Sequence, residues 1–112
     1  MELAREIVDV IADKQGEDIL LLDIRKVSIL ADYFVIGSAV TKRQTKAMVN
    51  AITDETKQTY DVKPLRVEGD ADSGWVLMDY GSVIVHLFAP EARSYYDLEG
   101  FWEDAQVVVR IL

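Results

Sequence analysis

The 112 residues are enough for one hydrophobic core and too few for two. The composition, 50% hydrophobic and 29% charged, is typical of a folded globular chain and excludes a disordered one. Twelve Lys and Arg against twenty Asp and Glu give a net charge of −8, which argues against a general nucleic-acid binder but permits docking onto a basic protein. The absence of cysteine excludes disulfides, thiolate nucleophiles and cysteine metal sites.

The start of the chain, Met1 to Glu6, is acidic and has neither a signal-peptide pattern nor an Arg-rich transit pattern. No apolar run approaches the length that a membrane span requires. We therefore expect a single cytoplasmic domain over residues 1–112, without a membrane segment.

The first half of the chain predicts a helix, two strands and a second helix. The first helix has an apolar stripe and is expected to end in a left-handed cap at Gly16. That stripe consists of Leu3, Ile7, Val8, Ile11 and Ala12. The unbroken apolar run within residues 18–24 predicts a strand buried on both faces, and residues 33–38 predict a second strand.

Thr41 and Gln44 have the spacing of a capping box, so a long helix is expected to follow and to end near Tyr60, before Pro64. Its predicted apolar stripe consists of Ala47, Met48, Ala51 and Ile52. Residues 64–68 predict a short strand, in which Pro64 is expected either as the first residue or on an edge strand.

The most informative stretch is residues 74–88, which predicts a β-hairpin. A two-residue loop at Tyr80 and Gly81 would place Trp75 opposite His86, Leu77 opposite Ile84, and Asp79 opposite Ser82. One face is then aliphatic, with Val76 and Met78 opposite Val85 and Val83. The other face mixes the tryptophan, the aspartate and the histidine with aliphatic side chains, as protein-binding surfaces do.

After the hairpin, Pro90 and Glu91 are placed to open a helix, and Asp97 is placed to cap a last helical turn carrying Leu98, Phe101 and Trp102. The apolar tail, residues 106–112, fits a strand, a helix or a loose end equally well. The predicted fold class is α/β, a single domain with a mixed sheet of about five strands flanked by helices.

Catalytic and metal-binding patterns are weak. His86 is the one histidine, and without a visible orienting partner it is better interpreted as a packed side chain than as a base. The acidic loop at residues 70–74 lacks the spacing and the final glutamate of a calcium loop. Gly37 and Ser38, between a strand and a helix, could approach a phosphate, but no pair of metal-binding acids follows on a strand. We expect no catalytic residue, no metal and no cofactor.

Two groups of residues favour a binding role. The first turns of the predicted second helix carry three cations, Lys42, Arg43 and Lys46. Cations at this end of a helix oppose its dipole. An anionic partner and a solvated helix end explain these residues equally well. Aromatic residues concentrate in the second half of the chain and, together with His86 and Arg93, have the composition of a protein interface. These aromatic residues are Trp75, Tyr80, Tyr95, Tyr96 and Trp102.

Several motifs together resemble the ribosomal silencing factor family, also called Iojap-like. They are Asp32-Tyr33-Phe34-Val35-Ile36-Gly37-Ser38, Arg43-Gln44, Glu68-Gly69, Trp75-Val76-Leu77-Met78-Asp79-Tyr80-Gly81, Val85-His86-Leu87-Phe88 and Pro90-Glu91-Ala92-Arg93-Ser94-Tyr95-Tyr96-Asp97-Leu98-Glu99 through Trp102. The resemblance runs from the first helix to about Ala105. It departs from the family at Gly37, where Cys or Ala is frequent, and at residues 38–41, where Ser-Ala-Val-Thr replaces Ser-Gly-Thr-Ser.

The resemblance implies a nucleotidyltransferase-like fold without catalytic acids, a non-enzymatic protein and a homodimer. It also implies binding to the large ribosomal subunit through its universal protein number fourteen, which blocks joining of the small subunit and lowers translation when nutrients are scarce. The implied partner-binding residues are Trp75, Leu77, Asp79 and Tyr80, with Arg43 and Lys46 as contacts to ribosomal protein or RNA, and with His86, Arg93 and Tyr96 as further candidates.

Two alternatives remain open at this point. One is a phosphoryl-transfer protein of nucleotidyltransferase type that uses Gly37 and Ser38. The other is an adaptor that dimerises through its sheet and has no ribosomal role.

Overall fold

The structure, a computed structural model, describes the backbone of residues 1–112 and every side chain except those of residues 99 and 101. The predicted contribution of Phe101 to the last helical turn therefore lies outside the described residues. In chain order the elements are α1 (Glu2–Asp13), β1 (Glu17–Asp23), β2 (Tyr33–Ser38), α2 (Lys42–Tyr60), β3 (Arg66–Asp70), β4 (Trp75–Asp79), β5 (Val83–Phe88), α3 (Pro90–Tyr96), α4 (Leu98–Phe101) and β6 (Gln106–Ile111).

The strands form one open mixed sheet in the order β3-β4-β5-β2-β1-β6. Only β2 and β5 pair in parallel, and the other neighbours are antiparallel. The α/β class and the mixed sheet are confirmed, but the sheet has six strands rather than five. The sixth strand is the tail, which pairs with β1 and so covers the second edge of that buried strand.

Helices cover both faces of the sheet. Helices α1 and α2 pack on one face, where Ile7, Ile11, Met48 and Ile52 meet the inward side chains of five strands. The segment α3–α4 packs on the other face, through Ala92, Leu98 and Trp102. Successive side chains of β1 alternate between the two layers, which explains why its sequence is an unbroken apolar run.

The β4–β5 hairpin is confirmed, but its predicted register is wrong by two residues. Trp75 pairs with Phe88, and Leu77 pairs with His86, because the two-residue loop is Gly81-Ser82 rather than Tyr80-Gly81. Gly81 has φ 87° and occupies the first loop position, where a type II′ turn requires glycine. A shift of two preserves the side-chain alternation, so the division into an aliphatic face and a mixed face is correct.

The helix boundaries agree with the capping analysis at α2. Thr41 Oγ1 accepts a hydrogen bond from Gln44 N at 3.0 Å, and the helix ends at Tyr60 as expected. Gln44 Oε1 accepts from Val40 N rather than from the cap residue itself. Ala47 is exposed, and the buried stripe runs instead through Thr45, Met48, Ile52 and Thr56.

Three smaller expectations are corrected. The left-handed residue after α1 is Gln15, with φ 68°, rather than Gly16, and Ala12 is exposed. Strand β3 lies at the edge as expected but starts at Arg66, beyond Pro64. Asp97 does precede α4, but its side chain makes no capping hydrogen bond.

No helix in the described part of the chain is both long enough and apolar enough to cross a membrane.

Gly16 is required for packing rather than for a turn. A Cβ at this position would overlap the Ile11 Cγ2 methyl and lie 3.1 Å from Met48 Cε. We expect Gly16→Ala to lower the free energy of unfolding by about 1–3 kcal/mol, since both neighbours are fully buried.

Gly37→Ala is the matched control, because its Cβ would lie 3.1 Å from the same Ile11 methyl without overlapping it. Chemical denaturation of both variants should show a clearly smaller loss of stability for Gly37→Ala. Equal losses would contradict the packing explanation.

Candidate partner-binding site

Trp75, the first residue of β4, is held in place by aromatic neighbours. Its indole Nε1 donates a hydrogen bond to His86 Nδ1 at 3.2 Å, across the β4–β5 pair. Its ring lies 5.1 Å from that of Phe88 and 4.7 Å from that of Tyr96 on α3. Because these contacts fix the indole in one orientation, a partner that binds its exposed surface causes little further loss of side-chain entropy.

His86 is structural in this arrangement. It is 4% exposed, and the Phe34 ring packs edge-to-face against it at 4.9 Å. Because Nδ1 accepts from Trp75, the neutral ring carries its proton on Nε2, which has no hydrogen-bond partner among the described residues. Burial lowers the pKa of His86 to about 4, so the ring is neutral at physiological pH.

A groove of about 260 Å³ opens beside the anchored tryptophan. It is lined by Glu68, Gly69, Ser73, Trp75, Leu77 and Tyr96. The Tyr96 side chain is 51% exposed, and Trp75 and Leu77 are half-buried, so an apolar floor is accessible from solvent. With one carboxylate at its rim, the groove suits an apolar side chain of a partner that also carries a cation.

The acidic loop before β4 is a turn. Asp70 Oδ1 accepts a hydrogen bond from Ser73 N at 2.9 Å, and Ser73 Oγ donates to the carbonyl oxygens of Asp70 and Trp75. The polar groups of Asp70 and Ser73 are therefore used within the loop. Among the described side chains, no group of three or more His, Asp or Glu is placed to hold a metal ion.

The predicted cationic residues lie on α2, on the opposite side of the sheet. Arg43 and Lys46 are exposed, and Lys42 pairs with Asp72 at 3.1 Å. Lys46 lines a second groove, of about 330 Å³, between α2 and β3. Both grooves include Gly69, so the two surfaces flank the same edge strand.

Two predicted contact residues lie away from the groove. Tyr80 is 9% exposed on the aliphatic face, where its hydroxyl lies 2.9 Å from Thr56 Oγ1, and burial raises its pKa. Asp79 accepts a hydrogen bond from Gly81 N at 2.7 Å and pairs with Arg66 at 3.3 Å. Tyr80 belongs to the core because the true loop begins one residue later, and Asp79 stabilises that loop.

Arg93 also has a structural position. Its Nη1 donates to Ser38 Oγ at 2.8 Å, which ties α3 to the end of β2. Ser38 is 3% exposed, and Gly37 lies under Ile11, so both residues have packing roles. Among the described side chains, no contact specifically favours the phosphoryl-transfer alternative.

The structure therefore brings together Trp75, Leu77 and Tyr96, and places Arg43 and Lys46 around the edge of the sheet. The sequence did not predict that Ser73 lines the groove. It also gave no binding role to Glu68 and Gly69, which line the groove too, although both belong to the motifs that carry the family resemblance. It also missed Phe88, which stacks on Trp75 and is placed there only by the corrected register.

Comparison with known proteins decides the family. Residues 1–111 match the family model described as ribosomal silencing factor during starvation. The chain belongs to the ribosomal silencing factor family. Family membership gives it a role in ribosome silencing, a regulatory role in translation.

Individual relatives agree with this assignment. Ribosomal silencing factor RsfS of Bacillus subtilis is 41% identical over 93 residues, covering 83% of this chain and 78% of that protein. A crystal structure of a Chromobacterium violaceum protein superposes with a TM-score of 0.85 at 32% identity, covering 91% of this chain and 84% of the other. A mouse protein named mitochondrial assembly of ribosomal large subunit protein 1 is 31% identical over 86% of this chain, which spans 43% of that protein.

The buried histidine makes stability depend on pH. Its folded pKa of about 4 lies below the ordinary value of 6.5, so the unfolded chain takes up the proton first as the pH falls. The free energy of unfolding is therefore highest above pH 6.5 and decreases as the pH falls towards 4. The decrease due to His86 is on the order of 3 kcal/mol at most.

Denaturation measured from pH 7 to pH 4 should show this loss in the parent protein and a flatter profile in His86→Gln, whose amide keeps an acceptor for Trp75. Equally steep profiles would show that another group carries the dependence.

Proposed function

We propose that this protein binds the large ribosomal subunit through its universal protein number fourteen and sterically prevents the small subunit from joining. The observation that carries the proposal is the groove beside Trp75, where an immobilised tryptophan, a half-buried leucine and an exposed tyrosine form an accessible apolar floor. Such preorganised aromatic residues are typical of the few residues that carry most of an interface's binding energy. The proposed occupant is an apolar side chain of the ribosomal protein.

Steric blocking needs only size and position. The Cα atoms extend over 34 × 34 × 24 Å, so a bound molecule would hold two ribosomal surfaces far beyond contact distance. The mechanism requires no cofactor, metal or small-molecule substrate. The name of the mouse relative, which refers to the ribosomal large subunit, supports the choice of subunit.

Arg43 and Lys46 extend the proposed surface around the edge strand β3. Both are exposed cations on an acidic protein, and the groove lined by Lys46 shares Gly69 with the Trp75 groove. We propose that Trp75, Leu77 and Tyr96 contact ribosomal protein while Arg43 and Lys46 meet nearby phosphates of ribosomal RNA. His86, Asp79, Tyr80 and Arg93 support the site from within the fold.

The proposed place of action is the cytoplasm, where ribosomes translate. We also propose that two copies of the chain associate.

Trp75→Ala should weaken co-sedimentation with large subunits by at least about tenfold, because it removes a central aromatic anchor. The same variant should restore joining of the small subunit in a light-scattering assay. Tyr60→Ala is the matched control, since it removes an exposed aromatic ring at the end of α2, on the other helical layer.

Thermal unfolding must accompany this test because Trp75 also packs against Phe88. Trp75→Phe, which keeps an apolar ring but loses the bond to His86, should retain part of the binding. A folded Trp75→Ala variant with parental affinity would show that this groove is not the docking site.

The cationic residues predict a salt dependence. Removing Arg43 and Lys46 together should reduce the slope of log affinity against log salt by about one for each phosphate that the variant no longer neutralises. A double alanine variant at Arg5 and Lys26 removes the same charge elsewhere and should keep the parental slope. Identical slopes for the parent and the Arg43/Lys46 variant would refute the proposed binding of RNA phosphates.

A further inference from the structure

A groove of about 730 Å³ lies between the α3–α4 segment and strands β1 and β6. Its apolar floor consists of Leu20, Leu22 and Val107, and its polar side chains come mainly from α3 and from the two strands. The described residues that line this β1–β6 groove are all different from those of the Trp75 groove. Its volume lies within the range of about 300–1,000 Å³ that is usual for small-molecule sites.

Three charged side chains of this groove also surround a smaller recess, of about 270 Å³, which is lined by Asp18, Leu20, Arg93 and Arg110. Arg110 pairs with Leu20 across the β1–β6 ladder, so the two side chains share one face of the sheet. Asp18 comes from the irregular start of β1, where the register against β2 shifts and its φ is 48°. Arg93 reaches the recess from α3, where its bond to Ser38 at 2.8 Å holds it.

The carboxylate and one guanidinium of the recess do not neutralise each other. Asp18 and Arg110 line the same recess, yet neither forms an ion pair with any residue that the structure describes. Arg93 adds a second positive charge, and a bound carboxylate would relieve the repulsion between the two arginines. The recess therefore complements a molecule that carries one negative and one positive group.

The charge of the whole groove disfavours a polyanion. Two guanidinium groups line the groove together with four carboxylates, those of Glu17, Asp18, Asp97 and Glu103. This excess of negative charge repels nucleotides and other molecules with several phosphate charges, whereas a molecule without net charge avoids the repulsion. The apolar floor favours an aliphatic or aromatic group on that molecule.

We propose that the β1–β6 groove binds a small zwitterion, an α-amino acid with an apolar side chain. Its carboxylate lies between Arg93 and Arg110, and its ammonium group faces Asp18. Its side chain packs on Leu20 and Leu22. A short peptide shares this chemistry, and a titration with both kinds of molecule distinguishes them. The proposal does not rest on the ribosomal role, and steric blocking of the subunits needs no such ligand.

Titration of the isotope-labelled protein with L-leucine, followed by its amide NMR signals, tests the proposal. The signals of residues 18–22 and 107–110 should shift to saturation, while those of residues 75–79 should stay in place. Isocaproate lacks the ammonium group and L-leucinamide lacks the carboxylate. Each should bind at least about tenfold more weakly, because it loses a charge-assisted contact. Tighter binding of L-leucyl-L-leucine than of L-leucine would support the same chemistry and identify a peptide as the ligand.

Two variants locate the site. Arg110→Gln and Asp18→Asn each remove one charge, and asparagine tolerates the left-handed backbone at position 18. Both should weaken the binding of L-leucine at least about tenfold. Arg5→Gln and Asp13→Asn are the matched controls, since both residues are exposed on α1, and they should keep the parental affinity. Thermal unfolding checks the fold of each variant, and the ligand analogues keep the test decisive if a variant folds poorly.

Four results would overturn the proposal. L-leucine, L-phenylalanine and L-leucyl-L-leucine might all leave the signals of residues 18–22 and 107–110 unshifted at millimolar concentration. Isocaproate or L-leucinamide could bind as tightly as L-leucine, which would exclude recognition of a zwitterion. Inorganic phosphate or ATP could shift the same signals at lower concentrations than L-leucine does, which would make the groove a phosphate site. Parental affinity in folded Arg110→Gln and Asp18→Asn would place the binding site elsewhere.

Discussion

Covering both faces of the sheet is the constraint on which the rest of the structure depends. Helices α1 and α2 close one face, and the α3–α4 segment closes much of the other. The uncovered part of β4 and the two edges stay accessible to other molecules, as does a groove of about 730 Å³ between the α3–α4 segment and strands β1 and β6. The hydrogen bond from Trp75 to His86 lies at the border of the covered region, where the core gives way to an accessible groove.

The hairpin at that border shows why its faces can be predicted from sequence while its register cannot. Alternation along β4 and β5 determines which side chains share a face, and a shift of two residues does not change it. The predicted turn is wrong by one residue because Tyr80-Gly81 and Gly81-Ser82 both put glycine inside a two-residue loop. The pairing of Tyr80 with Val83 shows that Gly81-Ser82 is the loop. The same pairing puts Tyr80 in the strand, where its side chain is buried.

Helix α3 shows what local sequence could not give. The motif from Pro90 predicted the helix itself, but not that Tyr96 would cover Trp75 or that Arg93 would bind Ser38, 55 residues earlier in the chain. Such contacts depend on the order of the strands, which local periodicity does not encode. The same holds for the tail: its β-branched residues permitted a strand, and only the free side of β1 gives that strand a partner.

The two edges of the sheet differ in how another molecule can recognise them. Strand β3 carries charges and a left-handed glycine, and the grooves on either side of it expose an apolar floor and a lysine. The strand's own backbone is protected from pairing with another chain, so side chains rather than main-chain groups are what this edge offers to a partner. Strand β6 has the reverse character, with one charged residue and an outer side with which no described strand pairs, so its backbone groups are open to main-chain pairing.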